Sequence, residues 1–128
     1  MNLEEIKKKT KVVIETQLWE KGYATTEDTL VAMGWLSKEK LGEWKQGKIP
    51  YLERVCNTNL NKITQCMKTY HNYAKEKQYK MSRTSYIAMK TKKPLRFSKS
   101  GNPNIESRYA QRILAGATHP RKQVAEKK

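Results

Sequence analysis

Acid is what this sequence runs short of, and it does so on one side. Of its 12 Asp and Glu residues only Glu53, Glu76, Glu106 and Glu126 lie beyond residue 50, while 18 of the 27 Lys and Arg do. Residues 1–50 carry a net +1 (9 basic minus 8 acidic) and residues 51–128 a net +14 (18 minus 4). So unbalanced a half points to a polyanionic partner, nucleic acid before an anionic membrane surface. Other shortages exclude other classes. Two cysteines are too few for a disulfide framework. Cys56 and Cys66 are ten residues apart on one predicted helix and turn away from each other, so both are expected as buried, reduced thiols. With two histidines, Cys66 and His71 on different faces and His119 near the end, no zinc site is expected.

Metal-assisted phosphodiester chemistry needs several convergent carboxylates. The basic half offers four, and Glu53 and Glu106 meet only by accident of folding. No catalytic residue and no cofactor is therefore assigned, and a nuclease is kept as a distant alternative. The longest wholly apolar runs are a few residues, which excludes a helical membrane span. The opening MNLEEIKKK has neither the apolar core of a signal peptide nor the acid-poor character of a transit peptide, so a cytoplasmic location is expected.

What is present suits one folded unit. The 128 residues, 37% hydrophobic, can bury a core without staples. The expected fold is mainly α: four or five helices around one long central helix, with a small extended or hairpin element before the last helix. One domain is expected over 1–117, followed by a disordered basic tail over 118–128.

The central helix is read over 50–77. Leu52, Cys56, Leu60, Ile63, Met67, Tyr70 and Ala74 form one buried stripe at helical spacing, and Pro50 suits a first helical position. About 25 residues at 1.5 Å each would make a rod of about 38 Å. The opposite stripe, Arg54, Asn57, Asn61, Gln65, Lys68, Asn72 and Lys75, holds no acid. Amides and cations are the groups that reach phosphates and base edges, although a plain solvent face fits the pattern as well.

Upstream, a helix is expected over 3–21 with Ile6, Thr10, Val13, Ile14, Gln17 and Leu18 on its apolar side and Gly22 as its stop. Thr25 with Asp28 reads as a cap for a short helix ended by Gly34. Ser37 caps the next, with Leu36 and Leu41 as its hydrophobic staple and Gly47 as its end. Helix, glycine turn, helix is the layout of a helix-turn-helix. Its register is one residue off, and Glu39 and Glu43 lie on the second helix, so a helical hairpin packed on the long helix is the alternative. Trp35 and Trp44 are expected in the core.

Downstream, a hairpin is expected over 85–89 and 93–98 with the basic loop KTKK, or else one turn capped by Ser82 followed by an extended arm. Lys90, Lys92, Lys93, Arg96 and Lys99 fall together with no acid among them, interleaved with Tyr79, Tyr86 and Phe97. Cations beside aromatic faces suit single strands and RNA loops. Ser98, Lys99, Ser100, Gly101 and Asn102 then lead into a helix expected over 103–115, with Asn102 as cap and Pro103 first. The turn reads as a phosphate cradle or as a well-capped turn with no ligand; P-loop spacing is absent.

The candidate nucleic-acid-binding residues are thus Arg54, Asn57, Asn61, Lys68, Lys75, Lys90, Lys92, Lys93, Arg96, Ser98, Lys99 and Ser100. The functional expectation is a non-catalytic binder of DNA or RNA. Its rival is a helical protein-interaction module that docks a partner on residues 1–50. At EWKQGKIPYLERV, RTSYIAM and PLRFSKSGNPNIE, over roughly residues 20–110, the chain resembles an uncharacterised group of small basic bacterial proteins. That resemblance implies a bacterial source and a single compact unit, and no activity, cofactor or site residue.

Overall fold

The computed structural model describes residues 2–116 and 119–120. The expected tail from Arg121 onward lies outside them. Five α-helices, one 3-10 turn and three short strands follow in the order α1 (Leu3–Lys21), β1 (Tyr23–Ala24), α2 (Thr26–Ala32), α3 (Lys38–Lys45), the 3-10 turn Leu52–Val55, α4 (Leu60–Glu76), β2 (Lys80–Arg83), α5 (Pro103–Tyr109) and β3 (Gln111–Leu114). The fold is mainly α with a small antiparallel sheet.

Local signals set most helix ends. Asn2 and Glu5 form a reciprocal capping box at the start of α1, and Gly22 closes that helix at φ 84°. Oγ1 of Thr25 accepts from the Asp28 N–H and Oγ of Ser37 from the Lys40 N–H, as the spacing predicts. Gly34 and Gly47, at φ +86° and +84°, make the turns after α2 and α3. The buried side of α1 is Ile6, Thr10, Val13, Ile14, Gln17 and Leu18. It packs on α4, whose buried residues include Ile63, Cys66, Met67, Tyr70 and Ala74.

The long helix is shorter than its stripe implies, and it is one of two. It starts at Leu60, where the Asn59 side chain accepts from the Lys62 N–H. Cys56 (ψ 139°) and Asn59 (ψ 161°) are extended. Cys-Asn-Thr-Asn is a run of poor helix formers whose side chains compete for backbone donors. Tertiary bonds complete the break: Leu52 and Glu53 donate to the carbonyls of Arg96 and Phe97, and Asn57 donates to Trp35 O. Leu60 is consequently 56% exposed rather than part of the core, and Cys56 is half-buried, whereas Cys66 is fully enclosed.

The last helix is also shorter than expected. It ends at Tyr109, and the chain continues as β3, the middle strand of the order β1-β3-β2. Residues 111–114 pair with Tyr23–Ala24 on one side and Lys80–Arg83 on the other, and Ile113 is fully buried. Two neighbours at once outweigh the helical preference of so short a segment. The Tyr70 hydroxyl lies 3.0 Å from Ala24 O and 2.9 Å from Gln111 O, tying α4 to the sheet.

The expected hairpin is a single antiparallel bridge, Ile87 with Pro94, supported by Ala88 N–H to Lys93 O at 2.8 Å and Leu95 N–H to Tyr86 O at 2.9 Å. It rests against the end of α3, where Met89 N–H donates to Lys45 O and a Cβ on Gly47 would stand 3.0 Å from that of Ala88. Trp35 and Trp44 are both buried. Trp44 has no exposure at all, and its Nε1–H donates to Arg96 O at 2.7 Å.

Candidate nucleic-acid interface

The basic half orders itself around two carboxylates. Glu106, on α5, accepts from the backbone N–H groups of Phe97 and Ser98 at 2.8 Å each and from the Ser98 hydroxyl at 2.5 Å. Glu53, on the 3-10 turn, accepts from the Lys99 N–H at 3.1 Å and from the Tyr109 hydroxyl at 2.6 Å. Burial first, and then the Glu53 carboxylate, push the Tyr109 phenol well above its ordinary range. Two acids that sequence separates therefore grip one short stretch of chain. The Arg96 guanidinium closes the turn from the other side, donating to Ser98 O at 3.2 Å and to Lys99 O. Gly101, at φ +66°, lets that guanidinium approach: an added Cβ would stand 3.2 Å from Nε of Arg96.

This changes what the expected phosphate cradle can do. Ser98 is 2% exposed and its hydroxyl is engaged by Glu106. Oγ of Ser100 accepts from the Asn102 N–H, and Oδ1 of Asn102 accepts from Asn104 and Ile105. The N–H groups of Ser98, Lys99, Gly101 and Asn102 and the Ser98 hydroxyl are already matched to internal acceptors, while Ser100 is exposed. Lys99 differs: its backbone is held, and its exposed side chain lines a groove.

That groove, about 720 Å³, lies between the start of α4 and α5. Its walls include Leu60, Met67, Ile105 and Tyr109, and the cations on it are Lys68, Lys99 and Arg108. Leu60 and Ile105, each in the first turn of a capped helix, are 56% and 41% exposed. The Tyr109 ring is stacked on Phe97 (centroids 5.3 Å, 8° between planes) and cannot swing out cheaply. Of the candidate residues named from sequence, Lys68, Ser98, Lys99 and Ser100 line this groove; Leu60, Ile105, Tyr109 and Arg108 were not among them. The caps Asn59 and Asn102 were the available signal, because each fixes an apolar residue at an open helix start.

The other candidates are spread along two further surfaces. Asn61, Lys68 and Lys75 are exposed on one face of α4, with Lys75 about 10 Å beyond Lys68 along the axis. Arg54 and Asn57 are exposed but precede that helix, so the acid-free stripe is broken after Asn57. Lys90, Lys92 and Lys93 are exposed at the hairpin tip, Lys92 in the left-handed region at φ 62°. Arg96, though exposed, is engaged in the turn and sits over the Tyr51 ring. The aromatics interleaved with these cations face inward. Phe97 is 2% exposed, and the hydroxyls of Tyr79 and Tyr86 donate to Glu15 and Glu27. They are built into the core and its edge rather than offered as stacking platforms.

The first half uses its acids differently. Asp28 pairs with Lys21, and Lys40 with Glu43 at 3.5 Å. Burial alone would raise Glu15, but hydrogen bonds from Tyr79 and Tyr73 and the ring of His119 outweigh it and hold the carboxyl below its ordinary value. His119, expected in a loose tail, is thereby set against α1. Glu27 is 3% exposed, and burial, aided by the neighbouring Asp28 charge, raises its carboxyl. Burial pushes both cysteine thiols up to about 11, which keeps them protonated and poorly nucleophilic at neutral pH. Among the described residues, no three His, Cys, Asp or Glu side chains cluster as metal ligands, and no helix is long and apolar enough to cross a membrane.

Fold and site together define a mainly α domain with a small sheet and a basic, partly apolar groove. No family model matches the chain, and no curated protein and no solved structure matches it.

Proposed function

We propose that this chain is a non-catalytic nucleic-acid-binding protein of the cytoplasm that holds phosphates with the cations of its second half. One observation carries the reading: Glu53 and Glu106 are turned onto internal N–H and O–H donors. Among the described residues no Lys or Arg beyond residue 50 is in an ion pair. The positive charge of this half is left to solvent and to whatever anion approaches, and counterion release from that anion would supply most of the affinity.

The test is a titration of a labelled 20-residue DNA and RNA strand, and of their duplexes, at several salt concentrations. About five neutralised phosphates give a log–log slope near −4 on duplex DNA. Replacing Lys90, Lys92, Lys93 and Lys99 with Gln should flatten the slope by about one for each cation that meets a phosphate. Arg96 is left in place because it supports the turn. A slope near zero for the unaltered chain removes the proposal.

A second reading has its own observation. Val12 and Trp19, 60% and 46% exposed, line a shallow hollow with Thr16 on α1, in the nearly neutral half, and Tyr73 of α4 closes it. A protein partner docking there would make this an interaction module whose basic half serves solubility. Trp19→Ala separates the two: it should leave nucleic-acid binding unchanged and abolish capture of such a partner.

A further inference from the structure

Cations alone would bind any polyanion, but the groove between α4 and α5 has apolar walls that a phosphate backbone does not need. Leu60 and Ile105 are large aliphatic side chains left in water at its edges, with Met67 and the fixed Tyr109 ring behind them. Lys68, Lys99 and Arg108 stand beside them, and none is in an ion pair among the described residues. At about 720 Å³ the groove falls within the ~300–1,000 Å³ of small-ligand sites. Glu53 also lines the groove, but its carboxylate is turned onto the Lys99 N–H and the Tyr109 hydroxyl, so an apolar body that carries negative charge complements these walls and cations.

We propose that this groove takes an unpaired base of single-stranded nucleic acid, its flanking phosphates resting on Lys68, Lys99 and Arg108. The inference rests on the nucleic-acid reading above and adds the form of the partner. In a duplex the base faces are stacked on one another and only phosphates reach the protein, so the aliphatic walls stay wet. In a single strand a base can turn out and lie between Leu60 and Ile105, removing apolar surface of both from water. A protein partner is less well matched. Specific protein interfaces bury about 800 Å² per side around an apolar centre, and at this groove the large exposed apolar side chains are Leu60 and Ile105.

The experiment uses the full chain, a single-stranded 12-mer with one central 2-aminopurine, and its duplex. The single strand should bind more tightly than the duplex, and the 2-aminopurine emission should change as the base leaves its neighbours. Leu60→Gln with Ile105→Gln, both at exposed positions, should weaken single-strand binding about tenfold and leave duplex binding and the salt slope unchanged. A thermal melt establishes that the double variant is folded. Equal single-strand and duplex affinities that the variant does not alter overturn the inference while the nucleic-acid reading stands. Absence of salt-dependent binding to either form overturns both. Anilinonaphthalene sulfonate supplies a further arm. If it binds the unaltered chain but not the variant, and the bound 12-mer fails to displace it, the groove belongs to a different amphipathic anion and the inference falls.

Discussion

The α1–α4 pair and the stretch from Thr84 to Asn102 are held by opposite means. The two helices meet through side chains removed from water: Ile6, Val13, Ile14 and Leu18 on one, Ile63, Cys66, Met67 and Tyr70 on the other. Polar groups enter at Thr10, whose hydroxyl donates to Ile6 O at 2.6 Å, one turn back, and at the edge, where the Tyr73 hydroxyl donates to Glu15 at 2.7 Å. The later stretch has only Ala88, Phe97 and Ser98 fully buried. It is ordered instead by groups brought from elsewhere: the carboxylates of Glu53 and Glu106 accept from its N–H groups, and the Trp44 indole N–H donates to its Arg96 O. A basic, sparsely apolar segment can thus be fixed by hydrogen bonds, provided the two acids beside it, Glu53 and Glu106, are engaged internally. The same arrangement leaves its cations facing outward, so ordering and charge display are one device.

The contrast is open to attack at the buried residue on which the later stretch packs. Trp44 is fully buried against Tyr86 and Phe97 and donates to Arg96 O. Trp44→Ala should cost about 4 kcal/mol in chemical denaturation. A loss near 1 kcal/mol would mean that the stretch is not anchored through it.

Glu106→Gln sharpens the comparison on the polar side. The amide keeps one acceptor oxygen for three donors, so about 2 kcal/mol should be lost, together with hydrogen-exchange protection of Phe97 and Ser98. An unchanged exchange pattern would show that apolar contacts, not the carboxylate, order the turn.

Glu27, on α2, faces the basic segment through the Tyr86 hydroxyl at 3.1 Å, with Asp28 and Lys45 as its charged neighbours. Its carboxyl is raised in the fold, so the protonated form is favoured there. The benefit is complete below the unfolded value near 4.5 and is lost as pH rises through the folded value. Glu27→Gln should therefore gain stability on the neutral side relative to pH 4, by a smaller amount than the losses above. Melts at pH 4, 6 and 8 read the difference, and a gain that does not vary with pH would refute the burial argument.

The smallest effects separate two kinds of cation within one segment. Arg96→Gln removes the donors to Ser98 O and Lys99 O and should cost about 1 kcal/mol. Lys92→Gln and Lys93→Gln, at the exposed tip, should stay within about 0.5 kcal/mol. Equal costs in the denaturation curves would erase the division between cations that build the turn and cations that face solvent.

Much of the helical half was legible because its determinants are local. The α1 stripe, the caps Thr25, Ser37 and Asn102, and the glycine stops at 22, 34 and 47 each act within about four residues. The candidate site was legible only in its polar members, Lys68, Ser98, Lys99 and Ser100. Lys68 and Lys99 were named from the absence of acid around them, but the apolar walls at Leu60 and Ile105 were not. The 50–77 helix illustrates the limit: the i,i+3/i+4 pattern runs straight through Cys56 to Asn59, and the break depends on Trp35 accepting from Asn57 and on Arg96 and Phe97 accepting from Leu52 and Glu53.

By itself the sequence determined the caps at Thr25, Ser37 and Asn102, which face of α1 is buried and on which half the charge sits. These follow from side chains near in sequence and from counting. Only the tertiary structure decided that Tyr23–Ala24, Lys80–Arg83 and Gln111–Leu114 form one sheet, and that Glu53 and Glu106 close on one turn. Strands of two to four residues carry no readable period, and a hydrogen bond across 46 residues leaves no mark on either partner's neighbours.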